Sequence, residues 1–248
     1  MTILQVPGNA VDVVPCERLW PGHSTIERQR EDMKIDDGLY GFFWRSMEAN
    51  NCNTYLIDGS RRILIDPGHH HLFDHVVQGL AAIGVTPDEI DMVICTHAHP
   101  DHVEAVQALK SERTVFAIHR SEWQMMQQWA GHTGNKDLLE QLRPDLFLQA
   151  GQLDVGEVAL TVVETPGHSP GSICLYWSDR KALISGDLVF AGGVGRTDLP
   201  GGDPRLLRDS IRRVAREPVD LLLPGHGDMV SGAAAVRANF QQIETMFF

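Results

Sequence analysis

The sequence predicts an α/β fold built from two similar halves, and three observations carry that reading. Two stretches, Asn53–Asp66 (NTYLIDGSRRILID) and Ile173–Asp187 (ICLYWSDRKALISGD), set apolar β-type runs around the turns DGS and SDR, and each ends in an aspartate. Two later runs, Asp91–His99 (DMVICTHAH) and Val219–Gly227 (VDLLLPGHG), are short apolar strands leading into histidine. Between them lie segments whose apolar residues fall three and four apart, the helical period. Hairpin, aspartate, helix, strand and histidine thus occur twice, which points to two βα halves packed together with chemistry at their junction.

Taken in chain order, residues 1–35 are polar, mixed and rich in Pro and Gly, and read as an N-terminal extension before one domain over 36–248. The hairpin at 53–66 is followed by a helix over His71–Gly84 and the strand at 91–99. Ser121–Gly131 (SEWQMMQQWAG) reads as a helix within a helical insertion near 120–150, with Trp123, Met126 and Ala130 along one side. That side suits core packing or a lid, and Trp123 is a candidate wall for an acyl pocket. After the second hairpin, Pro204–Pro218 is helical and closes before Pro218, as helices do. The tail GAAAVRANFQQIETMFF reads as a final helix.

Composition narrows the function. A chain of 248 residues, 43% hydrophobic and 22% charged, can bury one sizeable core. Its 33 acidic and 21 basic residues give a net charge of -12, and no long Lys/Arg run offsets the repulsion of phosphate backbones, so nucleic acid is not an expected partner. A small-molecule substrate is, and a homodimer is compatible with it. The start MTILQVPGNAVDVVPCERLW lacks a secretory pattern and no apolar run could span a bilayer, so a cytoplasmic location without a membrane partner is expected. Cys16, Cys52, Cys95 and Cys174 form no C-x-x-C pair, which argues against a disulfide framework or zinc knuckle. Any metal must then be held by histidine and carboxylate.

The stretch CTHAHPDHVEAV, Cys95–Val106, supplies such donors. His97 and His99 are two apart and point the same way from an extended strand end; Pro100 then turns the chain so that Asp101 and His102 open the next helix. Four potential ligands at one corner favour a metal. His168 in TPGHSPGS sits between tight turns, Asp187 in ISGDLVF ends an apolar strand, and His226 in LLPGHGD does the same. Singly each is an ordinary turn residue; in series with the first motif they read as one set. Imidazole and carboxylate without thiolate suit zinc, iron or manganese, and two such ions about 3.5–4 Å apart can share a hydroxide at neutral pH.

The series THAHPDH, TPGHSPGS, SGD and PGHG resembles the metallo-β-lactamase fold superfamily, over about Asn53 to Gly227. The resemblance implies a four-layer αββα sandwich of two mixed β-sheets flanked by helices, with metal at one edge between the sheets. It also implies one ion on His97, His99 and His168, a second on Asp101, His102 and His226, and Asp187 bridging both. Two divalent ions are expected, zinc first, with iron or manganese as alternatives. Asp101 would orient the hydroxide and later help protonate the leaving group. Asp66 matches a position that supports the site from behind. His69–His71 match no ligand and read as helix entry or pocket wall.

The resemblance implies that the bridging Asp187 favours the glyoxalase II, lactonase, persulfide dioxygenase and tRNA-processing branches over true β-lactamases, and the acidic charge disfavours the last of these four. FAGGVGRTDLPGGD, Phe190–Asp203, is similar to a glycine-rich segment shared by short glyoxalase II-like hydrolases and persulfide dioxygenases. Its glycines Gly192, Gly193 and Gly195 would let a loop approach substrate, and Arg196 would either bind a substrate carboxylate or tie the loop to Asp198 or Asp203. Where the family continues DHxGG, this chain has DHVEA, which sets Glu104 beside the metal corner as a candidate substrate contact that would disfavour anions. The resulting expectation is a binuclear metal hydrolase of a small-molecule thioester or ester. A mononuclear-iron persulfide dioxygenase on His97, His168 and Asp187 is the alternative, and a lactonase a further one. A non-enzymatic binding protein would be expected to have lost ligands, and all seven are present.

Overall fold

The computed structural model describes residues 33–133 and 136–248; the stretch 1–32, with most of the expected extension and Cys16, lies outside them. A seven-stranded sheet runs in simple sequence order: β1 (Lys34–Asp36), β2 (Leu39–Phe42), β3 (Thr54–Asp58), β4 (Arg62–Ile65), β5 (Met92–Ile94), β6 (Val115–His119) and β7 (Leu146–Leu148). Lys34 already pairs with Tyr40, so the sheet begins two residues ahead of the expected boundary. This edge strand is only three residues long, and a single apolar residue, Ile35, between Lys34 and Asp36 is too short a pattern to announce it.

The second sheet holds β8 (Gly151–Val155), β9 (Val158–Glu164), β10 (Ile173–Trp177), β11 (Ala182–Gly186), β14 (Leu221–Pro224) and β15 (Val230–Ser231) in the order β15-β14-β11-β10-β9-β8. A two-stranded ribbon, β12 (Val189–Phe190) and β13 (Gly193–Val194), follows β11. The duplication anticipated from sequence is visible in the pairing. β3–β4 is antiparallel and β4–β5 parallel, just as β10–β11 is antiparallel and β11–β14 parallel.

Side-chain alternation builds the layers. Tyr55, Ile57, Ile63 and Ile65 face Ile173, Leu175 and Ile184 in a core between the two sheets. Their neighbours Leu56 and Leu64 point the other way, against Val76 and Leu80 of α1 (Asp74–Ala82). Cys174, Tyr176 and Leu183 leave the opposite face, against Leu207 and Ile211 of α6 (Pro204–Val214) and Val236 of α7 (Ala233–Phe247). The central strands are therefore apolar on both faces, which is why they read as continuous runs. Helix, sheet, sheet, helix is the four-layer sandwich.

The helix α6 shows how local sequence sets an element. Asp203 accepts from the N–H groups of Arg205 and Leu206 as its N-cap, Pro204 opens the first turn, and Arg212 and Arg213 face the negative end of the dipole. Leu207, Ile211 and Val214 supply the buried stripe. The region near 120–150 contains α4 (Arg120–Thr133) and α5 (Lys136–Gln141), after the short helices α2 (Pro100–Val103) and α3 (Val106–Leu109). No helix among the described residues is long and apolar enough to cross a membrane.

Candidate metal centre

The chain leaves β4, β5, β11 and β14 through Asp66, His97, Asp187 and His226, so the centre forms where parallel strands of both sheets end. At such ends the backbone is released from the ladder and side chains can turn inward.

His97 Nε2 lies 3.3 Å from His168 Nε2, and His99 Nδ1 lies 2.8 Å from that same atom. All three rings are buried. His168 Nδ1 donates to the Arg196 carbonyl at 2.7 Å, which leaves Nε2 as the bare nitrogen aimed at the other two. Burial holds His97 well below the usual histidine range, brings His99 down to about 4 and lowers His168. These rings are neutral at pH 7, and their facing lone pairs repel unless a cation or proton sits among them.

The second group is Asp101, His102 and His226. His226 Nε2 is 3.3 Å from Asp101 Oδ2 and 3.4 Å from His102 Nε2. Burial opposes charge on both rings, yet His226 rises to about 9 through its hydrogen bonds to Asp101 and Asp187, and His102 rises beside Asp187 and Asp66. Asp187 lies between the groups: Oδ2 is 3.5 Å from His168 Nε2 and 3.4 Å from His226 Nε2, while Oδ1 is 3.3 Å from His102 Nε2. Buried Oδ1 makes no hydrogen bond. An acceptor left this way costs about 1–3 kcal/mol unless something compensates it. Five imidazoles, two carboxylates and this orphaned oxygen fit divalent cations, as does the clustering of single donor atoms within 4.8 Å in His97/His99/His168, His97/His102/Asp187 and Asp101/His102/His226.

Residues outside the seven fix them in place. Asp66 Oδ2 accepts from His102 Nδ1 at 2.9 Å and from Thr96 Oγ1 at 2.7 Å, and its Oδ1 from the Thr96 N–H at 2.7 Å. It does so with φ of 54°, a left-handed conformation that Asp tolerates better than most residues. Glu122 of α4, fully buried, accepts from the Ala98 N–H, the Ser169 hydroxyl and the Gly171 N–H, each at 2.7 Å. One carboxylate thereby joins the His97–His99 loop to the His168 loop. Asn50 donates to Asp101 Oδ2 at 2.6 Å. Asn53 donates to the carbonyls of Pro224 and Gly227 on either side of His226.

None of Glu122, Asn50 or Asn53 is singled out by sequence pattern. The only available signal was the polar run NNCN before an apolar strand, and a glutamate on an otherwise core-facing helix.

The proposed substrate contacts are more dispersed. Arg196 makes a two-pronged pair with Asp198, at 2.7 and 2.6 Å, and both side chains are exposed; Asp203 serves α6 instead. Gly195 approaches the backbone of Asp187, whose carbonyl oxygen a Cβ there would overlap, so that glycine is explained within the protein. Trp123 is partly buried against the outer core, whereas Trp129, one helical turn and a half along, stacks on His99 at 6.1 Å and 7°. Trp129, Met126, Ala98 and Leu142 line a cavity of about 120 Å³ that Glu104 also borders. Glu104 Oε2 is held 2.8 Å from His69 Nδ1.

Comparison with known proteins gives the family. The family model described as metallo-beta-lactamase superfamily matches residues 47–226. A probable metallo-hydrolase of Methanocaldococcus jannaschii, MJ0888, is 35% identical over 185 residues, covering 71% of this chain and 88% of the relative. The hydroxyacylglutathione hydrolase GloC of Haemophilus influenzae is 28% identical over 197 residues, covering 76% and 91%. Among solved structures, the metallo-beta-lactamase family protein TTHA1429 of Thermus thermophilus aligns with a TM-score of 0.70 at 21% identity, over 86% of this chain and 80% of that one. TTHA1623 in a di-iron-bound form aligns with a TM-score of 0.59 at 29% identity, over 76% and 94%. With its two-sheet sandwich and its strand-end cluster of histidines and aspartates, the chain belongs to the metallo-β-lactamase superfamily.

Proposed function

We propose that this chain is a binuclear metal-dependent hydrolase of small-molecule thioesters or esters. The observation that carries the reading is Asp187, whose carboxylate lies 3.3–3.5 Å from His102, His168 and His226 of both histidine groups. His97, His99 and His168 would hold one ion, and Asp101, His102 and His226 the other, with Asp187 shared. When bound, such a pair supplies Lewis acidity and an activated water at neutral pH.

The chain's own groups do the rest. Asp101 is aligned by the Asn50 amide on Oδ2. In this reading it steers the attacking water and returns a proton to the departing thiol or alcohol. The Asp66–His102 and Arg196–His168 hydrogen bonds keep each imidazole in the tautomer that presents its inward nitrogen. The apolar cavity beside His99 offers room for the acyl portion of a substrate. A thioester is favoured over other bonds because a relative named for hydroxyacylglutathione hydrolysis aligns over three quarters of this chain.

The test is metal content per chain by elemental analysis, on protein purified without added metal, with thioester hydrolysis assayed on the same sample. Close to two ions with turnover is the expected result. A single iron without hydrolysis, together with oxygen uptake on a glutathione persulfide, would replace this reading with the mononuclear dioxygenase on His97, His168 and Asp187.

A further inference from the structure

The histidine run after Gly68 takes no part in the seven-donor centre, but it does not merely face solvent. His69 Nδ1 lies 2.8 Å from Glu104 Oε2, and the His69 and His71 ring centroids are 5.0 Å apart. One donor atom from each of His69, His71 and Glu104 falls within 4.8 Å of the other two. Two donors on one tetrahedral zinc sit about 3.3 Å apart, from bond lengths near 2.0–2.1 Å. The His69–Glu104 spacing matches the 2.8 Å between His168 and His99 in the main centre, so both would open by only a few tenths of an ångström around an ion.

The backbone holds this group in place. The His69 N–H donates to Asn51 Oδ1 at 2.8 Å, and Gly68, at φ of 91°, passes so close beneath that amide that a Cβ would strike it. The Ala105 N–H donates to the Gly68 carbonyl at 2.8 Å, and the Gly68 N–H to the His102 carbonyl at 3.3 Å. The loop after β4 and the end of α2 are thus stitched together in both directions, which sets His69 against Glu104 before any ligand arrives. A hydrogen bond between those two needs no third donor. His71 supplies one, from the solvent side.

We propose that His69, His71 and Glu104 form a separate divalent-cation site for an ion of borderline softness, zinc being the probe of choice. Two neutral imidazoles and one carboxylate leave a bound dication near +1, with water completing the coordination. The ion would clasp the loop that carries Asp66 to the helix that carries His102. This site stands whether or not the main centre is binuclear.

The experiment is a zinc titration of the metal-stripped full chain against a chromophoric chelator, run in parallel on wild type and His71→Ala. His71 is exposed, so the variant keeps its fold. Wild type is expected to take up one equivalent more than the variant, and a Glu104→Gln protein to weaken that same equivalent by about tenfold or more, because a neutral amide oxygen replaces the charged one. Equal stoichiometry in wild type and His71→Ala, at any total, overturns the site. So does an additional equivalent that Glu104→Gln binds as tightly as wild type.

Discussion

Asp66 and His102 meet through a 2.9 Å contact between Oδ2 and Nδ1, although Asp66 follows β4 and His102 sits in α2, and Asp66 adopts a left-handed backbone where it makes it. The contact decides which nitrogen of His102 faces Asp187, Asp101 and His226. Asp66→Asn keeps a side chain that tolerates positive φ but loses the carboxylate that accepts from Thr96 and His102 together. Metal affinity in the His102 group should fall by about 10- to 100-fold, and about 1–3 kcal/mol of stability should go with it, because the new amide turns a buried donor toward Thr96 or His102. Retention of metal in dialysis against a graded chelator measures this; unchanged retention would remove Asp66 from the orienting role.

Glu122 should behave differently because its effect is on the join between two loops. In Glu122→Gln one oxygen can still accept from Ser169 and Gly171, but the new amide would present a donor to the Ala98 N–H. A buried donor facing a donor costs about 1–3 kcal/mol. Denaturant unfolding of the metal-free protein should register that loss. Metal held by His97, His99 and His168 should also loosen more than metal held by His102 and His226. Wild-type stability in the variant would mean that the hydrogen bond from the Ala98 N–H contributes nothing net.

Much of this centre was legible in the sequence, for a physical reason. His97, His99, Asp101 and His102 stand within six residues of one another across a strand-to-helix turn, so the grouping of these candidate ligands needs no tertiary information. The two hairpins were equally readable, because apolar runs broken by DGS and SDR admit few other structures. Glu122 and Asn53 were not readable. Their partners are backbone atoms at Ala98, Gly171, Pro224 and Gly227, and backbone atoms leave no trace in the residue names. The edge strand Lys34–Asp36 was hidden likewise, since its pairing rests on backbone and one apolar residue, Ile35, makes no readable pattern. Trp123 and Trp129 lie on one helix, and only the packing distinguishes the tryptophan that touches His99.

Asp101 separates binding from chemistry. If it moves a proton during turnover, Asp101→Asn should lose about 10²-fold or more in kcat even in molecules that carry their full metal complement, in line with the usual value of a positioned acid or base. Metal analysis and steady-state kinetics on the same fractions provide the check. Full metal content with full turnover would confine Asp101 to holding the site together.

The pH dependence of metal uptake follows from His226. Burial alone would lower its pKa, but hydrogen bonds to Asp101 and Asp187 raise it to about 9 in the metal-free protein. Below that pH the ring carries a proton that an incoming cation must displace, so binding should release about one proton from this residue at pH 7–8. Apparent affinity of the Asp101/His102/His226 group should then rise with pH by up to about tenfold per unit for that proton, and flatten near pH 9. Asp101→Asn removes the largest of the raising influences and should bring the flattening to lower pH, although the loss of a carboxylate also weakens binding outright. Calorimetric titration of zinc in buffers of different ionisation enthalpy reads the proton count directly. A count that does not change between pH 7 and pH 9.5 would mean that His226 is already neutral in the metal-free protein, and that the carboxylates around it do not hold its proton.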